Sequence, residues 1–506
     1  MPVPIIRGRV RPRAGNDHVE HEMTPPQIGL VDSCFEEAHY ESGIAVLDQL
    51  RVPKFRPTPS HIRQLLYIAL YTPAPVTGKR KEKATPSRNI SGKQVASTPI
   101  SQSAITMAQQ CLSAFALTNS PDSLMQALPR YPSLGEHDLT DQNMFEQNED
   151  LDRDSYVAEQ AASLKDYKDC WRILKEDSLQ HAQDEGMGMF TGSPSKRRRM
   201  RSHTRIHRQD DDPPLPIGPN SWPVLNWLVR LFEKDEERME RSGQPRYSPL
   251  LLSQIPPIRS EAGAKWAADA PLDAVFHCLI QDNFRKRSMG TQLLTLLINL
   301  TSTTLFDLPL FLNLVLTRFP IDSCAFKNLF PSLPSSTTII KFKIFLYQKY
   351  LLGASTIGRP LTPRTRTRAH PRPVPNRACR KPGELAQKGP ITRTESIESL
   401  AQADVAGTLI SSRHALPSAT EILNLLTSSP DIEAHSIAAK CELLTNYESL
   451  QSQAVESEGS KEWSAMLRDG RLEQAVRDVF GSQNAGGDDE RLAHVLRDEL
   501  LSVMTR

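Results

Sequence analysis

The chain is poor in the residues from which small active sites are built. Its 506 residues include only 24 glycines. Backbone N–H groups cradle phosphate best where glycines let the chain approach closely, so nucleotide-binding loops are not expected. Gly186-Met187-Gly188-Met189 offers two glycines but lacks a preceding strand, a third glycine and the lysine of a phosphate loop, and reads as linker. No GxSxG, P-loop or HExxH segment occurs.

Cysteine is scarce as well. Cys34, Cys111, Cys170, Cys278, Cys324, Cys379 and Cys441 lie no closer than 46 residues to one another. An odd count without CxxC spacing indicates free thiols in a reducing compartment, not a disulfide framework. The same shortage removes zinc. His203 and His207 resemble the second half of a Cys2His2 finger, but no cysteine stands between Cys170 and Cys278 to supply the thiolates. His18, Glu20, His21 and Glu22 are close in sequence without a helix to align them, and read as a polar tail. No catalytic, cofactor or metal residue is therefore assigned, and the expectation is a protein that is not an enzyme.

Membrane-spanning runs are also missing. The charge-free stretch from Ser288 to Phe306 contains Gln292, Asn299 and several Ser and Thr, which fits a buried core helix better than a bilayer span. Residues 1–7 contain no long apolar run, so no secretory leader is expected. Arg7, Arg9, Arg11 and Arg13 precede the first acid and resemble a mitochondrial presequence, but Pro2, Pro4 and Pro12 oppose its amphipathic helix.

What the chain does have is proline and segregated charge. With 39 prolines and 39% apolar residues, part of it is expected to fold and part not. The net charge of +2 hides opposed segments. Residues 77–100 carry six Lys/Arg against Glu82, residues 193–209 seven and no acid, and residues 354–393 ten against Glu384. Residues 136–154 carry eight acids and Arg153. The fold class expected is mainly α: irregular helical bundle or solenoid-like blocks joined by long basic linkers without fixed structure. The divisions are helical blocks at 28–72, 101–180 (with the acidic loop), 220–353 and 397–506, with linkers at 73–100, 181–219 and 354–396.

Within these blocks, apolar residues recur at helical spacing. Ile44, Val46, Leu47 and Leu50 mark one helix; Ile62, Leu65, Leu66, Ala69 and Leu70 mark another, with Ser60 as its cap. A helix is expected over 101–128, and one stripe from Val157 to Leu174. In the central block, Ser221 is expected to cap a helix bearing Val224, Leu225, Leu228, Leu231 and Phe232. A helix from Pro271 carries Leu272, Val275, Phe276, Leu279 and Ile280 as its apolar face, with Arg285, Lys286 and Arg287 in its last turn and Gly290 as a stop. Leu293, Leu294, Leu296, Leu297, Ile298 and Leu300 leave no polar face, so that helix must be sheathed, here by 271–287 and 308–319. Residues 338–352 alternate like a strand but also fit a helix, which is favoured because no partner strand is visible nearby. Ser418 and Glu421 form a capping box.

The strongest local signal is Lys196, Arg197, Arg198, Arg199 and Arg201. Such cations in an extended segment suit the acidic groove of an import receptor, so the nucleus is the expected location. Ser193-Pro194-Ser195-Lys196 abuts them and fits a proline-directed, cell-cycle-type kinase site; Thr85, Thr98 and Thr362 precede prolines in other linkers. Phosphate there would offset neighbouring positive charge. Trp222 and Trp227 are either core anchors or partner-binding hot spots.

The function expected is a non-catalytic nuclear scaffold or adaptor acting through protein–protein interaction, in chromosome maintenance or cell-cycle control. Its partners would be an import receptor and complex subunits, with no membrane. The alternative is a chromatin-associated or transcription-regulatory protein whose basic linkers contact nucleic acid non-specifically. Arg359, Arg364, Arg366, Arg368, Arg372, Arg377, Arg380 and Lys381 would do so through counterion release, with few aromatics to read bases.

Overall fold

A computed structural model describes residues 20–73, 99–131, 155–176, 214–258, 268–303, 306–319, 329–330, 332–357, 415–427, 434–453 and 458–480, with 265–266 and scattered positions between 494 and 502. They are mainly helical. Among them the only strands are two-residue pieces: β1 (His21–Glu22) runs parallel to β2 (Phe55–Arg56), and β3 (Pro257–Ile258) antiparallel to β4 (Lys265–Trp266). The chain divides into two compact units, Met1–Leu346 with Thr445–Val455, and Tyr347–Leu444 with Glu456–Arg506.

The larger unit starts with α1 (Pro25–Glu36), α2 (Tyr40–Leu50), α3 (Pro59–Leu70), α4 (Gln102–Thr118), α5 (Pro121–Met125), α6 (Tyr156–Ala162) and α7 (Cys170–Leu174). α3 begins two residues earlier than its apolar pattern predicts. Thr58, not Ser60, is the cap, its hydroxyl accepting from the His61 N–H at 3.2 Å. The sequence marks one apolar stripe on α3, yet every residue from His61 to Leu70 is buried, because α4, α5, α6 and α8 (Trp222–Arg241) surround it. His61 meets this by pairing its Nε2 with Asp32 at 3.0 Å.

Two helices expected to be continuous are broken by side-chain caps, which offer the backbone an alternative partner. The helix over 101–128 stops at Thr118, and Ser120 and Pro121 start α5. The stripe from Val157 to Leu174 is one face of three pieces: α6, a 3-10 turn at Ser163–Asp166, and α7. Asp169 accepts from the Arg172 N–H at 3.0 Å to begin α7. Tyr131 donates its hydroxyl to the same carboxylate.

The unit continues with α8, α9 (Pro249–Ser253), α10 (Asp269–Leu279), α11 (Phe284–Leu300), α12 (Leu308–Arg318) and the first half of α13 (Thr337–Ile357). Residues 338–352 are thus helical. α11 is buried along its second half, covered by α10 and α8, while α12 packs on α10. Ser221 precedes α8 without a side-chain cap bond. The expectation that Arg285, Lys286 and Arg287 end a helix is overturned: α10 stops at Leu279, and Asn283 accepts from the Arg285 N–H at 2.8 Å to begin α11. The three cations therefore occupy the first turn of α11.

Gly290 is no stop either; it lies inside α11 where α10 crosses it. A Cβ at this position would stand 2.7 Å from Cys278 Cβ and 3.2 Å from the Val275 carbonyl oxygen, so its missing side chain sets the closeness of the crossing.

In the smaller unit, α14 (Ala419–Thr427), α16 (Glu458–Arg468) and α17 (Arg471–Phe480) pack together around Ile422, Leu426, Trp463, Met466, Leu472, Val476 and Phe480. The capping box is present: Ser418 N–H donates to Glu421 and the Glu421 N–H to the Ser418 hydroxyl, at 2.9 and 3.1 Å. Gly470, at φ +67°, turns the chain between α16 and α17. From α15 (Ala434–Gln453), the buried Lys440 ammonium donates to the Leu426 carbonyl at the end of α14.

Two glycine substitutions should affect stability differently. Alanine is the better helix former by about 1 kcal/mol, but overpacking a crossing costs about 1–3 kcal/mol. Thermal unfolding followed by circular dichroism should show Gly290→Ala destabilised. Gly353→Ala in α13, where a Cβ meets nothing within 4 Å, should be neutral or stabilised.

Candidate protein-docking surface

The residues singled out in the linkers (Lys196, Arg197, Arg198, Arg199, Arg201, Ser193, Thr85, Thr98 and Thr362) lie outside the described residues. The two tryptophans are described, and they differ. Trp227 is fully buried in the core, and its indole N–H has no hydrogen-bond partner among the described residues. It contributes packing alone. Trp222, one and a half turns earlier on α8, is half-buried and reaches the surface.

Trp222 is held by two other elements. Its ring stacks on His277 of α10, with ring centres 5.6 Å apart and planes 22° apart. The Lys286 ammonium of α11 sits 4.0 Å from the indole centre on the cation-binding π face. Lys286 also approaches Gln281 Oε1 at 3.5 Å. Burial pushes the His277 pKa below its ordinary value, and the nearby Lys286 charge pushes it the same way. The imidazole is thus a neutral stacking surface at pH 7.

Next in sequence to His277, the end of α10 and the start of α11 expose three large apolar side chains. Phe276 is 36%, Ile280 54% and Phe284 75% accessible. Phe276 and Ile280 are one helical turn apart and share a face of α10; Phe284 is the first residue of α11. The Phe276 ring also meets Phe319 edge-on at 5.4 Å, which anchors it. Single exposed apolar residues are ordinary, but here three large ones fall within nine residues, at the end of α10 and the start of α11.

The charge around these residues is net positive, with Asp282 as the exposed acid of the turn. Asp273 is matched by Arg318 at 3.0 Å. Arg285 and Arg287 are exposed and pair with no carboxylate among the described residues, and the first turn of α11 contains no acid. Cations at the positive end of a helix dipole are unfavourably placed, so this corner concentrates positive potential.

The sequence pattern placed Phe276 and Ile280 in the core face of α10, and the structure corrects that. The buried positions are Pro271, Leu272, Ala274, Val275, His277 and Cys278. Ala274 and Cys278, small and weakly apolar, take the inner face because α11 crosses closely at Gly290; the larger side chains are left outside. No group of three or more His, Cys, Asp or Glu placed to hold a metal occurs among the described residues. No helix among them is long and apolar enough to cross a membrane. Compared with protein families, curated proteins and solved structures, the chain matches none.

The stack makes a pH-dependent prediction. A histidine held neutral by burial contributes stability that is present at neutral pH. That stability is lost as pH falls below 6.5, because the unfolded chain then takes up a proton that the folded one resists. By NMR titration His277 should titrate below 6.5 in the parent protein. Lys286→Met should raise its midpoint, and Trp222→Ala, which uncovers the ring, should raise it further. Unchanged midpoints in both variants would contradict this account of the stack.

Proposed function

We propose that this protein is a non-catalytic scaffold or adaptor of the nucleus, acting through protein–protein contacts in chromosome maintenance or cell-cycle control. The observation that carries the reading is the Lys196–Arg201 cation cluster, one residue after Ser193-Pro194. Five cations within six residues suit the acidic groove of an import receptor. A phosphate on Ser193 would sit beside them and weaken that attraction, which couples location to a proline-directed kinase. Thr85, Thr98 and Thr362 precede prolines in other basic stretches and extend the same logic.

The described helices support the reading in a second way. Their polar clusters are spent on joining helices, as with Asp235, Ser248 and Arg238, and the surface feature that stands out is an apolar and basic patch suited to a partner. The Arg-rich stretch 354–393 favours a second reading, direct contact with nucleic acid through phosphate charge alone.

The test is the cellular distribution of the tagged full-length chain. Replacing Lys196, Arg197, Arg198, Arg199 and Arg201 by Ala should move it from nucleus to cytoplasm, and Ser193→Glu should weaken nuclear accumulation. Undiminished nuclear signal in the alanine variant overturns the import role. Steeply salt-dependent binding of duplex DNA by the purified full-length chain, lost on neutralising the arginines of 354–393, would favour the second reading instead.

A further inference from the structure

We infer that the α10–α11 corner is a docking surface for an acidic peptide of a partner protein, one that presents bulky apolar side chains at helical spacing. The inference rests on the scaffold reading and names the chemistry of one partner. Four observations meet at this corner.

Phe276, Ile280 and Phe284 are large, apolar and exposed within nine residues, and Phe284 keeps three-quarters of its surface in water. Burying such side chains against a partner is favourable by about 25 cal/mol per Å² of apolar surface removed from water. The backbone beneath them is rigid on both sides. Asn283 fixes the start of α11, and the glycine crossing at Gly290 locks α11 to α10. A preorganised surface loses little conformational freedom on binding.

The electrostatics then select the partner. Arg285 and Arg287 point positive charge at solvent from the first turn of α11, where the helix dipole already adds a partial positive charge. The opposing acid of α10, Asp273, is occupied by Arg318, leaving Asp282 as the acid within the turn itself. An acidic segment would therefore be attracted, and its carboxylates would relieve the unfavourable cation–dipole arrangement. The third cation, Lys286, is held over Trp222 and braces the edge of the patch.

An acidic amphipathic peptide satisfies the apolar and the basic parts of this surface together. A nucleic-acid backbone satisfies the arginines alone and leaves Ile280 and Phe276 without a role.

The experiment uses the purified full-length chain and a fluorescein-labelled synthetic peptide in which Glu alternates with Leu and Phe at helical spacing, read by fluorescence anisotropy. The parent protein should bind it, and added salt should weaken the complex. The double variant Ile280→Ser with Phe284→Ser should bind roughly tenfold more weakly, as for truncation of interface anchors. Arg285→Glu with Arg287→Glu should weaken binding by a similar factor and remove its salt dependence. Both pairs are surface positions, and unchanged circular dichroism checks the fold. Leu117→Ser, at an exposed apolar residue of α4, should bind like the parent.

The inference is overturned if the parent fails to bind the acidic peptide, or if a peptide with Lys in place of Glu binds as well. It is equally overturned if both double variants match the parent, or if duplex DNA displaces the peptide and binds more tightly at this corner. Any of these with nuclear import intact removes the docking surface and leaves the scaffold reading standing. Loss of import dependence on Lys196–Arg201 with peptide binding intact does the reverse.

Discussion

Two neighbouring carboxylates on one helix, both buried, govern the larger unit. Asp235 and Glu236 of α8 are 0% and 2% accessible. A bare carboxylate in such a place costs several kcal/mol, so the site stands only if its oxygens are satisfied. They are. Asp235 accepts from the Ser248 hydroxyl at 2.8 Å, the Leu250 N–H at 2.9 Å and the Arg238 guanidinium at 2.8 Å. Glu236 accepts from Asn299 at 2.7 Å and Arg246 at 2.9 Å. Burial still pushes the Asp235 pKa up, against the hydrogen bonds that pull it down. The two arginines keep about half their surface in water, so the charges are matched without burying both members of each pair. The arrangement acts as a register key. Sliding α8 by one turn would leave both carboxylates unpaired, whereas a purely apolar contact would tolerate the slip.

The key reaches four elements. Ser248 and Leu250 tie α8 to the start of α9, Asn299 ties it to α11, and Arg238 passes on to Asp122 of α5. A fourth tie comes from the adjacent residue, where the Lys234 ammonium donates to the Ala116 and Asn119 carbonyls at the end of α4, at 2.6 and 3.1 Å. Lysine at a helix C-terminus satisfies carbonyls that have no partner within the helix and matches the negative end of the dipole. Lys440 does the same for α14 in the smaller unit. With α8 set on α11 by Asn299 at one end, Trp222 at the other end comes to rest between His277 and Lys286. The exposed corner beside it inherits its shape from that fixed crossing.

The helical character of the chain was legible because apolar residues recur every three or four positions over long stretches. Residues 338–352 illustrate how such evidence is decided. Their alternation fits a strand, but a strand needs a partner edge, and a helix satisfies its own backbone. Helix ends were less legible. Thr58, Ser120, Asp169 and Asn283 each start a helix through a side-chain oxygen, and several residues in any such stretch could do so. At Gly290 the sequence signal pointed the wrong way. Glycine weakens a helix in isolation, but here the gain in close packing against Cys278 outweighs that loss. The α10–α11 corner was half legible: Trp222 stood out, whereas Phe276 and Ile280 passed for core. Their exposure depends on which face α11 covers, a choice made by residues distant in sequence. The key itself was invisible, since Asp235 and Glu236 sit in the highly charged run Glu233–Arg241 that reads as a solvated face.

Among the described residues, Asp235 and Glu236 tie α8 to its neighbours, and the α10–α11 corner beside Trp222 is left exposed. That construction depends on the Asp235–Glu236 key acting as one cooperative joint. Native-state hydrogen exchange of the Leu250 amide measures this most directly. This N–H should exchange only in the opening that also releases the central amides of α8 and α11, with the same free energy. Exchange of Leu250 through a separate, much easier local opening would contradict it.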